Sequence, residues 1–272
     1  MRFGPTAMIL GLLVAAPAVA QLPYEELDAR DALDAFMLEA EIVESKKMAV
    51  SEGVTEPYKL TLSHDGKTRM ALWKNPQGRV NGFVEGWKYE IAAYEIDKYL
   101  GTDMVPPTVE KRFKGSRGSA CLWIDVWIDF DKMTTQELTP PGNKVDNFNK
   151  RVFLQRMFDN LIANEDRHLR NILLTEDWRM ILIDHSRSFR YSKKHQKNLI
   201  FTEKHPEGPK LMKRLPRKVV EKVKALDLET LNELVGDYLS EQEIAAILPR
   251  RDLILKEIDR LIEANGERAT LY

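Results

Sequence analysis

Residues 164–189, NEDRHLRNILLTEDWRMILIDHSRSF, determine how the rest of the chain is interpreted. Asp166 precedes Asn171 by five residues, and Asp184 follows after a hydrophobic stretch. Two short strands joined by a turn would fold Asp184 back beside Asn171, so that three oxygen-bearing side chains lie near one point. Mg²⁺ prefers oxygen ligands and often takes only one or two protein carboxylates, with water and substrate phosphates completing its shell.

Spacing alone leaves two interpretations of this stretch. In one, the two aspartates and the asparagine are turn residues of a polar loop between strands. In the other, Asn171 and Asp184 hold a divalent metal, while Asp166 accepts a proton from an attacking hydroxyl group. The order of features along the rest of the chain favours the second interpretation.

Upstream residues supply what a nucleotide site needs. Lys74 ends the apolar strand RMALWK, and Glu90 lies on a helix predicted over residues 84–100. A strand lysine that is oriented by a helix glutamate neutralises nucleotide phosphates in phosphoryl transfer. Backbone N–H groups of a turn before this strand can cover phosphates, although a plain β-turn is the alternative. That turn contains Ser51, Gly53 and Thr55.

The predicted elements divide the chain into a strand-rich first part and a mostly helical second part. An amphipathic helix is predicted over residues 24–47, and a β-hairpin with Asp65-Gly66 at its tip follows it. Helices dominate from about residue 147 to the end. Strands that are segregated from helices predict an α+β fold with two lobes and a ligand between them.

The order of features along the chain resembles that of the protein-kinase-like superfamily. It runs from a turn to a strand lysine, a helix glutamate, further strands, a helix, D-x-x-x-x-N and a strand aspartate. DRHLRN resembles the D-R-H-x-x-N catalytic loop of phosphoinositide 3- and 4-kinases, and ANEDRHLRN is similar to the loop of bacterial HipA-type kinases. Secretory-pathway kinases share the D-R-H element. YEIAAYEIDKYLGTDMVPPTV, residues 89–109, resembles the helix and following strand of these groups. The resemblance covers roughly residues 50–189.

The resemblance implies a two-lobed kinase-like fold that uses ATP with Mg²⁺ or Mn²⁺. In that fold Lys74 would hold the α- and β-phosphates, and Glu90 would orient Lys74. Asp166 would be the catalytic base or would position the nucleophile. Asn171 and Asp184 would hold the metal.

Other residues of the matching stretches receive supporting roles from the same resemblance. Arg167 and His168 would structure the catalytic loop, and backbone groups near Ile124 and Val126 would contact adenine. Two departures are visible in the sequence. The metal aspartate is followed by His-Ser where many kinases have Phe-Gly, and no Gly-x-Gly loop covers the phosphates.

The first twenty residues are typical of a cleaved secretory signal, with an early arginine, a short apolar run and a small-x-small site at Ala18-Val19-Ala20. We therefore expect an exported bacterial protein, periplasmic or secreted, with no transmembrane segment in the mature chain. Cys121 is the single cysteine, so no intrachain disulfide is available, whereas secreted animal domains usually carry several. The expected divisions are a signal peptide at 1–20, an N-terminal helical extension at 21–47, an N-lobe at 48–125 and a C-lobe at 126–272.

The charge balance gives no reason to expect nucleic-acid binding, because 41 basic side chains face 42 acidic ones. One local exception is residues 209–224, PKLMKRLPRKVVEKVK, which carry seven Lys or Arg and one Glu. This basic segment is either a solvated helix face or a docking surface for an acidic partner.

The sequence therefore predicts an exported kinase-like phosphotransferase. It would move the γ-phosphate of ATP to a hydroxyl of a protein, lipid head group or glycan, and the sequence does not identify this acceptor. The alternatives are a nucleotide-binding pseudokinase that regulates a partner, and a kinase-fold AMP transferase, since a fold does not fix the reaction. Export raises a question for each of them, because ATP is expected to be scarce outside the cytoplasm.

Overall fold

The computed structural model describes residues 29–48, 57–80, 83–210 and 212–272. The predicted signal peptide and the predicted phosphate-covering residues Ser51, Gly53 and Thr55 lie outside the described residues. The strands are β1 (Glu41–Lys47), β2 (Tyr58–His64), β3 (Lys67–Lys74), β4 (Gln77–Val80), β5 (Phe83–Gly86), β6 (Thr108–Phe113), β7 (Ser116–Leu122), β8 (Ile128–Asp129), β9 (Ile172–Leu174) and β10 (Met180–Leu182). The helices are α1 (Arg30–Glu39), α2 (Trp87–Leu100), α3 (Phe130–Thr135), α4 (Val145–Ile162), α5 (Lys193–Lys197), α6 (Arg217–Ala225), α7 (Leu228–Val235), α8 (Glu241–Ala245), α9 (Ile247–Asn265) and α10 (Glu267–Thr270).

An antiparallel sheet with the strand order β1-β2-β3-β7-β6 forms the first lobe. The predicted hairpin is confirmed as β2–β3, and its tip residues Asp65 and Gly66 have φ angles of 47° and 71°. Positive φ at both central residues matches the twist of a tight hairpin turn, which is why Asp-Gly suits it. Alternate residues of the central strands, such as Leu60 and Trp73, are buried against α1 on one face.

The helix predicted over residues 24–47 is correct only for α1. Residues Glu41–Lys47 instead form β1, the edge strand that pairs antiparallel with β2. Both elements belong to the first lobe, since Leu33 and Met37 of α1 are buried in its core. Arg30 also pairs with the fully buried Asp97 of α2 at 2.7 Å. The segment is therefore an integral layer of this lobe, and its predicted character as a helical extension is wrong.

The helix predicted over residues 84–100 begins later, at Trp87, because residues 83–86 form β5 and pair with β4. It ends where the sequence predicts, at Gly101, which has a φ of 69° and donates its N–H to the Asp97 carbonyl. The left-handed conformation at this position favours glycine. Helix α2 lies between the sheet and the second lobe, where its inner face joins the larger core.

The second lobe is mostly helical and surrounds α4. The predicted strands NILLT and RMILID are confirmed as β9 and β10, which pair antiparallel and extend to the short strand β8. A capping box begins α8, with Ser240 and Glu243 capping each other. Residues 123–127 connect β7 of the first lobe to β8 of the second. Within the described ranges, no helix combines the length and apolar character that a membrane crossing requires.

Candidate active site

Lys74 reaches the cleft because of strand alternation. Its neighbour Trp73 is buried in the core of the first lobe, so Lys74 lies on the opposite face of β3, opposite Ser119 in the ladder. The ammonium lies 2.8 Å from Asp184 Oδ1 and forms a close ion pair with Glu90 Oε1. Burial opposes the charge on Lys74, but the two carboxylates outweigh it and raise its pKa above the ordinary value.

Glu90 stands in the first turn of α2, where a carboxylate also suits the positive end of the helix dipole. Its other oxygen accepts the His185 backbone N–H at 3.0 Å. Burial disfavours its charge, but the Lys74 charge and the His185 side chain more than compensate, so the pKa of Glu90 is lowered. The sequence could not separate Glu90 from its neighbours Glu85 and Glu95, and the structure places Glu90 on Lys74.

Asp184 follows β10 with a φ of 59°, a left-handed conformation that is uncommon for residues other than glycine. The Lys74 charge keeps the pKa of Asp184 well below its ordinary range, and the Ser186 hydroxyl donates to Oδ1 at 3.1 Å. The carboxylate is therefore ionised at neutral pH. It is also 43% exposed, so it remains accessible to a ligand.

The β9–β10 register brings Asn171 beside Asp184, as the sequence predicts. Ile172 faces Leu182 in the ladder, and the Ile183 N–H donates to the Asn171 carbonyl at 3.1 Å. An ionised carboxylate and an amide oxygen are ligand types that fit Mg²⁺ or Mn²⁺ when phosphates complete the shell. The described residues contain no group of three or more His, Cys, Asp or Glu side chains that could hold a metal by themselves.

Arg167 anchors the loop that carries Asp166. Its side chain is buried and makes a two-pronged ion pair with Asp159 of α4, at 3.0 Å for both Nε–Oδ2 and Nη2–Oδ1. Its remaining nitrogen, Nη1, donates to the Ile183 carbonyl at 2.6 Å and the Asn171 carbonyl at 3.1 Å. One guanidinium thus ties the catalytic loop to α4 and to the end of β10, which agrees with the predicted structural role.

Asp166 lies at the more open end of the cleft. Its Oδ1 is 2.9 Å from His168 Nε2, and its backbone N–H donates to Asn164 Oδ1 at 3.1 Å. Its Oδ2 is 3.0 Å from Arg187 Nη1. The carboxylate is partly exposed, so a hydroxyl group can approach it.

Sequence reasoning missed Arg187 and its partner Glu85. Arg187 Nε donates to Glu85 Oε1 at 2.8 Å, and Glu85 is buried on β5. An arginine three residues after Asp184 was the only signal available. Its contact with β5 depends on how a distant hairpin packs against this segment.

The predicted adenine contacts lie in the connection between the lobes. Ile124 is buried and Val126 is half-buried. Nearby on β7, Cys121 faces Leu72 across the ladder and therefore shares the face that carries Lys74. The thiol is half-buried, and burial raises its pKa to about 11.

Much of the charge of the basic segment is already paired. Arg214 lies 2.9 Å from Asp146, Arg217 lies 2.5 Å from Glu267, and Lys210 lies 2.6 Å from Glu207. Lys222 donates to the Tyr99 carbonyl at 2.6 Å. These contacts occupy part of the positive charge of the segment.

Comparison with known proteins places the fold. No protein-family model matches the chain, and no curated protein matches it either. Among solved structures, the chain is similar to the crystal structure of a Helicobacter pylori proinflammatory kinase, CtkA, with a TM-score of 0.53 and 16% identity. The similarity covers 84% of this chain and 97% of that one. At this identity the likeness establishes the fold, which is the kinase-like α+β fold that the sequence predicts.

Proposed function

We propose that this protein is an ATP-dependent phosphotransferase that uses a divalent metal. The observation that carries the proposal is the Lys74 ammonium, which bridges Glu90 and Asp184 while Asp184 lies beside Asn171. In kinases the strand lysine must be paired with the helix glutamate and the metal aspartate must be in place before phosphoryl transfer occurs. The pairing of Lys74 with Glu90 and the position of Asp184 beside the same ammonium support the proposal.

Each residue then has a defined task. Lys74 binds the α- and β-phosphates, and Glu90 keeps its ammonium directed at them. Asn171 and Asp184 are the groups that would hold Mg²⁺ or Mn²⁺, which when bound neutralises charge on the phosphates. Asp166 orients the acceptor hydroxyl and takes its proton as the oxygen bonds to the γ-phosphorus.

Adenine would lie against the connection between the lobes. Within the described residues, neither Ile124 nor Val126 makes a backbone–backbone hydrogen bond. Their N–H and C=O groups are therefore the natural partners for the edge of a purine ring.

The acceptor we propose is a hydroxyl group of a protein, lipid head group or glycan, and the basic segment at residues 209–224 would draw an acidic acceptor. We also propose export to the periplasm or beyond, on the strength of the first twenty residues. Export requires that a donor be supplied in that compartment or in a host compartment that the protein enters.

The experiment compares γ-³²P-ATP with α-³²P-ATP on protein that begins at Gln21, with Mg²⁺ or Mn²⁺. Casein and phosphatidylinositol vesicles serve as acceptors, and Asp184→Ala is the inactive control. We expect label transfer from the γ position alone, with loss of at least about 10³-fold in Asp184→Ala, because the metal and the phosphate charge lose their partner.

Other outcomes identify other functions. Transfer of the α label would indicate AMP transfer. Metal-dependent ATP binding without any transfer would indicate a pseudokinase. Absence of ATP binding by calorimetry would refute the nucleotide site altogether.

A further inference from the structure

Arg187 is a cation that pairs with Asp166 and belongs to the segment that follows Asp184. It follows Asp184 by three residues, and its Nη1 lies 3.0 Å from Asp166 Oδ2. The charges of Asp166 and Asp184 both act on it. Its guanidinium therefore lies beside the residue that would receive the acceptor proton, within reach of a group that passes from nucleotide to acceptor.

The position of Arg187 is fixed by the β4–β5 hairpin. Glu85, a buried residue of β5, accepts from Arg187 Nε at 2.8 Å and pairs with Nη2 at 2.6 Å through the same oxygen. The Phe83 ring packs against the guanidinium, 4.5 Å from ring centroid to Cζ. One edge and one face of the planar group are thus used for orientation, and Nη1 is directed at Asp166. A lysine could not satisfy both directions, because its ammonium is a single point charge.

The other charged groups of the site indicate what Arg187 could do. The Lys74 ammonium is already bound by Glu90 and Asp184, at the end of the cleft assigned to the α- and β-phosphates. The loop stretch DRHLRN has no lysine between Asp166 and Asn171. His168 is the side chain beside Asp166, and it is largely exposed. Arg187 is a guanidinium held on Asp166, the residue that would take the acceptor proton.

We infer that Arg187 is a catalytic residue that binds the transferred phosphoryl group in the transition state, with Glu85 and Phe83 as its positioning residues. This inference rests on the proposed function. As the acceptor oxygen bonds to the γ-phosphorus, the bond to the β-bridging oxygen breaks and its electron pair remains on ADP. The acceptor proton moves to Asp166. Arg187 donates Nη1–H to an equatorial phosphoryl oxygen and is unchanged by the step.

The test uses a mimic of the transferred group, so it does not depend on knowing the acceptor. Calorimetry measures MgADP binding with and without fluoroaluminate, which occupies the position of the planar phosphoryl group. We expect fluoroaluminate to tighten ADP binding to the wild type by about 10²-fold or more, as transition-state analogues do. Arg187→Ala should bind MgADP with wild-type affinity and lose most of this tightening.

Two further variants separate a contact with the ligand from a structural role. Arg190→Ala is the matched control, because Arg190 ties the same segment to the Val84 carbonyl and to Glu165, each at 2.9 Å, and does not touch Asp166. It should keep the fluoroaluminate effect. Arg187→Lys should recover only part of it. Where transfer is measurable, Arg187→Ala should lower kcat on the order of 10³-fold and leave KM for ATP unchanged.

The outcomes distinguish this inference from the proposed function. Full tightening by fluoroaluminate in Arg187→Ala, or loss of MgADP binding in that variant, would overturn the inference while the nucleotide site stands. If Arg190→Ala loses the fluoroaluminate effect on ADP binding to the same extent, the effect belongs to the segment as a whole. This result would also overturn the inference. A wild-type protein that binds no MgADP would refute the proposed function, and the inference would fall with it.

Discussion

The two ends of the cleft differ in how their charged groups are supported. Lys74 and Glu90 come from a strand and a helix, and their side chains are 12% and 6% exposed. Asp166 and His168 come from a loop, and their side chains are 25% and 66% exposed. In the proposed function, the first end would bind the nucleotide and the second end would leave room for the acceptor. The difference indicates that donor binding and acceptor binding can be perturbed separately.

The loop end is nevertheless not free to move. Arg167 links it to Asp159 inside the helical lobe, and Arg187 links it to the β4–β5 hairpin. An exposed functional carboxylate is thus held by buried guanidinium contacts one residue away. This is a way to combine access with fixed geometry, which orientation-dependent catalysis requires.

The largest effect should come from the exposed end. Asp166→Asn keeps the shape of the side chain and removes the proton acceptor, so we expect kcat to fall by about 10² to 10⁴-fold. Affinity for MgATP should stay within about twofold, because the first end is untouched. Steady-state kinetics and calorimetry measure the two quantities. Asp177→Asn, in the β9–β10 turn, is the matched control, and equal losses in both variants would contradict the assignment.

A smaller effect is expected at the buried end. Glu90→Gln leaves Lys74 with Asp184 alone, so we expect weaker ATP binding and a loss of up to about 10²-fold in kcat/KM through misplacement of the ammonium. The variant should also be less stable at pH 7, because a buried pair has lost one charge. Urea unfolding at several pH values measures this.

The pH dependence has a definite sign. The folded-state pKa of Glu90 is below its ordinary value of 4.5, so its contribution to stability is present above that pH and is lost as the pH falls toward the folded-state value. Glu90→Gln should therefore lose less stability than the wild type between pH 5 and pH 3, a range set by the ordinary carboxylate pKa of about 4. Glu95→Gln is the contrasting control, because burial raises the pKa of Glu95 and its contribution has the opposite sign. If the free energy of unfolding falls equally between pH 5 and pH 3 in the wild type and both variants, the contribution assigned to the Glu90 charge is disproved.

The smallest effect should come from outside the cleft. Reversal of Lys213, Arg214 and Arg217 to Glu should raise KM for the acidic protein casein by a few-fold at low salt, with kcat and KM for ATP unchanged. The effect should shrink at about 0.5 M salt, where charges are screened within several ångströms. Kinetics at the two salt concentrations measure it. Unchanged KM for casein at low salt would leave the basic segment as a solvated face.

Elements with a local signal could be predicted from the sequence. Asp65-Gly66 sets the hairpin, Gly101 ends α2, and Ser240 with Glu243 starts α8, each through contacts within a few residues. The spacing of Asp166, Asn171 and Asp184 belongs with them, because the β9–β10 turn that brings two of these residues together is also local.

Features that depend on distant pairing could not be predicted. The spacing of apolar residues predicts that the helix continues through Val43. Val43 is instead 59% exposed and belongs to β1, an edge strand whose residues are mostly exposed. Such a strand lacks the alternation of apolar and polar residues by which a strand is predicted. Its pairing with β2 is visible only in the fold. The role of Arg187 was hidden for the same reason, since Glu85 lies about a hundred residues away and arginine is a common surface residue.

Cys121 gives this cleft a built-in chemical reporter. It is the only thiol in the chain, and its side chain shares the face of the sheet that carries Lys74. A thiol with a pKa of about 11 is mostly protonated at neutral pH, so an alkylating reagent modifies it slowly and at one place. The rate of alkylation therefore measures how accessible the inner wall of the cleft is. The measurement needs no mutation and no knowledge of the acceptor.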